Sequence, residues 1–220
     1  MHLLILGGTG PCGIALIQQA LAAHHTIVIY ARSANKIPSD IASNPSVTIV
    51  TGQLTDSDAL NKAMVGVHAV LSALGPPVSK GVTYPSNTPI AHGYEVVIDA
   101  MRKNNVKRII VLGTASIKDP ADKFSVRFAA LISGVALFAH NAYRDVVEIG
   151  NVIREKNQDL IWTIARVPVL VSNPSTAVHA GYVGDGKDHT TLSREAFASF
   201  FMHELENNEW CRKAPLISSP

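Results

Sequence analysis

The chain lacks the features that mark secreted, membrane-spanning and nucleic-acid-binding proteins. It has only two cysteines, Cys12 and Cys211, which form neither a disulfide framework nor a metal-type spacing. Its longest apolar stretch, Phe128 to Ala139, is too short to span a bilayer. The net charge of +2 is too small to indicate a nucleic-acid or membrane partner. We therefore expect no metal, no disulfide, no nucleic acid and no membrane among its partners.

Two further absences concern targeting and disorder. No basic region precedes the first apolar residues, and glycines follow them at once, so we predict no signal peptide and a cytoplasmic protein with free thiols. Only 16% of residues are charged and 47% are apolar, which is typical of a globular chain. A length of 220 residues indicates one domain, as a monomer or homodimer.

Short apolar runs alternate with amphipathic segments along this chain. Strands are predicted at His2–Leu6, Thr26–Ala31, Val47–Val50, Val67–Ala73, Lys107–Leu112 and Leu160–Ala165. Helices are predicted at Pro11–Ala23, Asp56–Val65, Thr88–Asn104, Asn141–Lys156 and Ser193–Leu205. Strands that are apolar throughout are buried on both faces. The fold predicted is therefore α/β, a Rossmann-type doubly wound parallel sheet of six or more strands.

A glycine-rich turn joins the first strand to the first helix. Gly7, Gly10 and Gly13 recur at intervals of three within the sequence GGTGPCG. We expect Gly7 to permit a tight turn, Gly10 to let the backbone approach a pyrophosphate, and Gly13 to allow close packing of helix on strand. The N-terminus of the helix then offers free N–H groups to phosphates. The motif stands at the first βα turn, as dinucleotide binding requires.

The end of the second predicted strand indicates which dinucleotide is bound. NAD sites usually carry an acidic residue there for the ribose 2′-hydroxyl, whereas this chain has Arg32, followed by Ser33 and Lys36. A guanidinium suits a 2′-phosphate because its donors are forked and its charge is permanent. We therefore predict NADP(H) rather than NAD(H), with a small molecule as the other ligand.

The ordered motifs resemble those of the atypical short-chain dehydrogenase/reductases. The chain is most similar to the NAD(P)H-binding, NmrA-like and biliverdin-reductase-B-like proteins. The resemblance covers nearly the whole chain and rests on GGTGPCG, ARSANK, VLSALG, KRIIVLGTAS, LIWTIARVP and TLSREAFA. It implies a dinucleotide-binding core in residues 1–166, with substrate-side loops and a closing helix in residues 167–220. Within the latter part, Pro168–Lys187 is predicted to be irregular.

The resemblance also implies individual cofactor contacts. Around the glycine turn and the end of each strand, the implied contacts are Gly7, Thr9, Gly10, Pro11, Cys12, Gly13, Arg32, Ser33, Lys36, Gln53, Leu54, Ala73, Leu74, Gly75, Thr114, Val167 and Pro168. Gln53 departs from the family pattern, in which an acidic residue often stands beside adenine. Thr114 to Ser116 would face the nicotinamide.

Catalytic groups are less clearly marked. Typical members of the superfamily use Tyr-x-x-x-Lys, in which the lysine lowers the tyrosine pKa, and none of the five tyrosines here has that lysine. The candidates are the Tyr143 and Ser116 hydroxyls and the His140 imidazole. The lead hypothesis is an NADPH-dependent oxidoreductase for a small, apolar or aromatic carbonyl or conjugated compound. A non-catalytic NADP(H) sensor and a redox-neutral cyclase or isomerase remain as alternatives.

One apolar helix is predicted apart from this alternation. Segment Phe124–Ala139 has apolar residues on nearly every side. Such a helix is typical of a buried core or a subunit contact, and the alternative is a flap over an apolar substrate pocket.

Overall fold

The chain folds around one large twisted sheet. A computed structural model describes residues 1–155 and 159–220. The strands are β1 His2–Leu6, β2 Thr26–Ala31, β3 Val47–Thr51, β4 Ala69–Ser72, β5 Arg108–Thr114, β6 Ile161–Val167, β7 Val169–Val171, β8 His179–Gly181, β9 Thr191–Ser193 and β10 Leu216–Ser218. The helices are α1 Pro11–Ala22, α2 Ser39–Ala42, α3 Ser57–Ala63, α4 Pro89–Lys103, α5 Val126–Phe138, α6 His140–Glu155 and α7 Arg194–Asn207.

The strand order places a ligand crevice beside β1. The main sheet runs β3-β2-β1-β4-β5-β6-β10-β8, and only β8 pairs in the antiparallel sense. A second, two-stranded parallel sheet joins β7 to β9. The order reverses between β1 and β4, and in such sheets ligands bind beyond the carboxyl ends of the strands at that reversal. The glycine turn after β1 lies at this point.

Helices cover both faces of the sheet, so alternate residues of β1 enter different cores. Leu3 and Ile5 pack with α1 and α7, where Phe197 and Phe201 are fully buried. Leu4 and Leu6 pack on the other side with α3, α4 and α6. Burial on both faces explains why β1 is apolar at consecutive positions.

The predicted Rossmann-type fold is confirmed, and the ends of the predicted elements differ from the observed ones by at most two residues. Asp56 is the N-cap of α3 and Ser193 the N-cap of α7, each accepting a hydrogen bond from the backbone N–H three residues later. Lys156, the predicted end of the helix before the sixth strand, lies outside the described residues. The prediction of irregular structure over Pro168–Lys187 is wrong in part, because this segment contains β7 and β8.

Helix α5 differs most from expectation. Phe128 is its buried residue, but Val126 and Leu137 on the helix, with Phe124 before it, are more than two-thirds exposed. A buried core helix is therefore ruled out for α5. Within residues 1–155 and 159–220, no helix is both long and apolar enough to cross a bilayer.

Candidate functional site

The turn between β1 and α1 has the backbone geometry that its glycines suggest. Gly7 adopts φ +78°, in the left-handed region that favours glycine. A Cβ on Gly13 would lie 2.2 Å from the Gly7 carbonyl oxygen, so the turn closes only with glycine there. Gly10 is different: its φ of −91° suits any residue, and a Cβ would meet no protein atom closer than 3.6 Å. The protein itself therefore leaves the space above Gly10 free.

A first cavity, which we call the β2-side cavity, opens beside the ends of β1, β2 and β3. It has a volume of about 370 Å³. Gly7 and Thr9 form its floor, Gln53 and Leu54 one side, and Arg32 lies at its rim. Arg32 is exposed and has no hydrogen-bond or ion-pair partner among the residues that the structure describes. This cavity has the shape and charge to receive a phosphorylated nucleoside.

A second and larger cavity, the β5-side cavity, lies beyond β4, β5 and β6. Its volume is about 840 Å³, and it meets the β2-side cavity at Gly75 and Pro77. The walls are mostly apolar, with Leu112 and Val167 from the sheet. The two cavities together form one trough that passes over the glycine turn. A dinucleotide laid along it would reach from Arg32 into the apolar end.

Segment 76–88, the strap, covers the junction of the two cavities. Its Tyr84 hydroxyl donates a 2.5 Å hydrogen bond to the buried Asp145 carboxylate of α6. The same carboxylate accepts from the backbone N–H groups of Ile90 and Ala91, at 3.1 and 2.9 Å, in the first turn of α4. Burial and the Asp145 hydrogen bond raise the pKa of Tyr84, which keeps the phenol protonated and donating. Asp145 is therefore a positioning residue for this wall.

A buried ion pair braces the loop after β5. The Arg166 guanidinium, fully buried, donates to both oxygens of Asp122 at 2.6 and 2.7 Å, and also to the carbonyls of Ile117 and Ala214. Asp122 accepts a further bond from the Val183 N–H. The brace fixes the segment that carries Thr114 and Ser116 into the β5-side cavity.

Cys12 lies in the first turn of α1, facing the β5-side cavity. Burial raises the pKa of its thiol to about 11, although the neighbouring Arg194 acts in the opposite direction. The thiol is therefore protonated at neutral pH and a poor nucleophile. Arg194 donates a 2.7 Å hydrogen bond to Ser172 and lines the same cavity, where it is the charged group.

Most of the predicted site residues line one cavity or the other. The β2-side cavity takes Gly7, Thr9, Arg32, Gln53, Leu54, Leu74 and Gly75. The β5-side cavity takes Gly10, Pro11, Cys12, Ala73, Gly75, Thr114, Ser116, Tyr143, Val167 and Pro168. Four predicted residues lie outside both linings: Gly13, Ser33, Lys36 and His140. Of these, Gly13 packs inside the turn, and His140 is exposed at the start of α6.

The structure also brings in residues that the sequence did not single out. Lys80 of the strap adds a second cation to the β2-side cavity, where Tyr30 also lies. Leu131, Ile132 and Val135 of α5 form an apolar wall of the β5-side cavity. The flap interpretation of α5 anticipated this wall in general terms. No local sequence pattern connects Lys80 with the β2-side cavity or Arg194 with the β5-side cavity.

Solved structures share the fold of this chain. A short-chain dehydrogenase/reductase (wide type) from Veillonella parvula DSM 2008, solved in complex with NADP, superposes with a TM-score of 0.80. The two sequences are 19% identical, and the match covers 100% of this chain and 94% of the Veillonella chain. At that identity the likeness concerns the fold.

Two curated proteins match shorter stretches. Photosystem II assembly factor Ycf39 from Synechocystis is 33% identical over 73 residues, which is 33% of this chain and 22% of that protein. Isoeugenol synthase 1 from Clarkia breweri is 28% identical over 116 residues, which is 49% of this chain and 33% of that protein. The matches thus span a third or less of these relatives.

A family model described as NAD(P)H-binding matches residues 7–208, from the glycine turn to the end of α7. Apart from β1, the match therefore includes the helices and strands that form both cavities. With a match over most of its length and a Rossmann-type sheet with the glycine turn at its crevice, the chain belongs to the NAD(P)H-binding family.

Proposed function

We propose that the chain is an NADPH-dependent oxidoreductase that reduces a small, largely apolar or aromatic carbonyl or conjugated compound. The observation that carries this proposal is the trough over Gly10. Glycine is required there by neither backbone conformation nor protein packing, and a pyrophosphate crossing the turn supplies the missing reason. The trough then leads into a cavity that is mostly apolar, which suits an apolar acceptor.

The binding of the cofactor is divided between the cavities. The turn from Gly7 to Gly13 and the N-terminus of α1 would hold the pyrophosphate through backbone N–H groups. Arg32 and Lys80 would hold the 2′-phosphate at the rim of the β2-side cavity. Ser33 and Lys36, one and four residues further on, stay candidates for the edge of that site.

The chemistry would take place in the β5-side cavity. When bound, the reduced nicotinamide supplies a hydride. Ser116 is buried, and Tyr143 of α6 lines the same cavity, so their hydroxyls would orient the acceptor oxygen there. Tyr143 would donate a hydrogen bond that stabilises negative charge on that oxygen, and water would supply the proton that completes the reduction. His140 is outside this cavity and is given no role in proton transfer.

Deuterium transfer tests the proposed reaction. The chain is incubated with NADPH labelled at C4 on either face and with a panel of apolar ketones, conjugated carbonyls and quinones. We expect one labelled face to deliver one deuterium to the product for each NADPH oxidised. Tight NADPH binding with no transfer to any acceptor would contradict the proposal and favour a sensor.

The sensor is the second candidate, and a relative supports it. Part of this chain is similar to a protein described as a photosystem II assembly factor. None of the tyrosines is followed four residues on by lysine, which agrees with binding without turnover. The cyclase or isomerase alternative predicts product formation with no net oxidation of NADPH, which the deuterium experiment also detects.

Replacing Arg32 tests the proposed cofactor preference. In Arg32→Gln, we expect NADPH to bind about tenfold more weakly, because a charged hydrogen bond at an exposed site is lost. NADH affinity should not change, since that cofactor has no 2′-phosphate. Arg127→Gln, an exposed arginine outside both cavities, is the matched control. Equal losses for both cofactors would contradict the assignment.

Replacing Tyr143 tests the acceptor contact. Tyr143→Phe should lower kcat about three- to tenfold, as expected for loss of one neutral hydrogen bond, with NADPH affinity unchanged. His140→Ala, at a neighbouring exposed position on the same helix, should leave kcat unchanged. Unaltered turnover in Tyr143→Phe would exclude its hydroxyl from the reaction.

A further inference from the structure

Helix α5 is apolar on both of its sides, although only one side is covered. At 100° per residue, Phe128, Leu131, Ile132 and Val135 share the inner side, and the last three line the β5-side cavity. Val126, Ala130, Ser133 and Leu137 lie on the opposite side at spacings of four, three and four. We call this side, together with Phe124 and Phe138, the outer face.

The outer face is exposed to an extent unusual for large apolar side chains. Phe124 is 84% exposed, Val126 70%, and Leu137 and Phe138 are each 73% exposed. Val82 of the strap, 83% exposed, extends it, since the Phe138 carbonyl lies next to Gly81. A contiguous apolar surface of this kind marks an interaction site rather than a solvated helix.

The charges around the outer face identify the kind of partner. From residue 123 to residue 140 the chain has Lys123 and Arg127 but no acidic residue. The strap has no acidic residue either, and its one lysine, Lys80, lines the β2-side cavity and is not counted here. Arg127 contacts the buried Asp188, with an ion pair at 3.8 Å and a 3.4 Å hydrogen bond to its backbone carbonyl, so Lys123 is the cation that no carboxylate among the described residues neutralises. Asp122 nearby is already bound to Arg166. The surface therefore combines exposed apolar side chains with excess positive charge.

We propose that the outer face docks on an anionic phospholipid bilayer, with Phe124, Val126, Leu137 and Phe138 inserted at the interface. Apolar side chains beside cations are what such a surface binds. A second copy docked through this face would bring the same cations and no carboxylate to neutralise them. The inference differs from the expectation, drawn from net charge, that the chain has no membrane partner, because the charge is unevenly distributed.

Docking in this orientation would give the β5-side cavity access to compounds dissolved in the bilayer. The inner side of α5 forms a wall of that cavity, so movement of the helix at the interface would open it toward lipid. The substrate class is then a lipid-soluble carbonyl or quinone. This assignment of substrate rests on the proposed function, whereas the docking surface does not.

Vesicle co-sedimentation of the full chain tests the docking surface without any turnover. We expect vesicles of phosphatidylglycerol and phosphatidylcholine to bind the chain at least tenfold more tightly than phosphatidylcholine alone, and added salt to weaken that binding. Lys123→Gln should weaken it about fivefold. Leu137→Ser with Phe138→Ser should weaken it at least tenfold.

Val126→Ser and Val65→Ser are a matched pair for the same experiment. The two valines are 70% and 68% exposed, but Val65 lies after α3, away from the outer face. Only Val126→Ser should weaken binding, by about fivefold. Equal effects of the two variants, or no sedimentation with anionic vesicles, would overturn the proposal. A dimer in light scattering that is lost in the Leu137 and Phe138 variant, with no vesicle binding, would assign the face to a second copy. The deuterium-transfer assay, run on each sample, shows separately whether the proposed function holds.

Discussion

Gly10→Ala is expected to leave the fold intact while weakening NADPH binding about ten- to hundredfold. The new methyl group would meet no protein atom closer than 3.6 Å, and the backbone conformation suits alanine. It would instead occupy the space through which the pyrophosphate approaches the turn. Forcing a ligand around one extra methyl group in a close-packed site costs about 1–3 kcal/mol. Calorimetric titration with NADPH measures the affinity, and thermal unfolding checks the fold.

Gly13→Ala is the matched comparison, with the opposite expectation. Its methyl group would lie 2.2 Å from the Gly7 carbonyl oxygen and 2.7 Å from the Gly8 Cα. Because both contacts are with backbone, the turn must move, and we expect a loss of about 3 kcal/mol or more in the free energy of unfolding. If Gly10→Ala destabilised the fold as much as Gly13→Ala, or bound NADPH normally, the role given to Gly10 would be wrong.

Asp122→Asn is expected to lower the free energy of unfolding by about 3–5 kcal/mol at neutral pH, because it leaves the fully buried Arg166 charge uncompensated. Asp99→Asn is the control. Asp99 is 67% exposed and 3.7 Å from Arg102, and its loss should cost less than about 1 kcal/mol. Chemical denaturation of both variants measures the difference.

The pH dependence of the same variant gives a second test. Burial acts to raise the pKa of Asp122, but the Arg166 hydrogen bonds and charge outweigh it and hold the pKa below the usual 3.8. A depressed carboxyl pKa stabilises the fold above pH 3.8, and that contribution disappears as pH falls through the pKa of the folded state. The difference in free energy of unfolding between the wild type and Asp122→Asn should therefore be constant near neutral pH. It should shrink below about pH 4, which is the pKa of a free carboxyl. If that difference stayed constant at lower pH, the stabilising role of the Asp122–Arg166 ion pair would be contradicted.

The sequence was sufficient for the elements that bury apolar residues on both faces of the sheet. β1, β2 and β4 are short apolar runs with nearly every residue buried. The N-caps Asp56 and Ser193 mark the starts of α3 and α7. The glycine turn was identified because its spacing is tied to a local strand–turn–helix structure. In each case the signal and the structure lie within a few residues of one another.

The parts that were missed depend on contacts between distant segments. β7 to β10 are three residues long, and their pairing is decided by neighbours such as β6 rather than by their own composition. Lys80 reaches the β2-side cavity because Tyr84 and Asn141 tie the strap to α6. For helix α5, the sequence leaves a buried core, a subunit contact and a flap as alternatives, because composition alone does not tell a buried face from a docking face.

Titration of the unmodified chain with NADPH and NADH, by calorimetry at one ionic strength, tests the central claim most directly. The trough from Arg32 over Gly10 into the β5-side cavity predicts one binding site per chain, with NADPH bound at least about tenfold more tightly than NADH. Equal affinities would contradict the role of Arg32. Absence of binding by either cofactor would contradict the assignment of the trough itself.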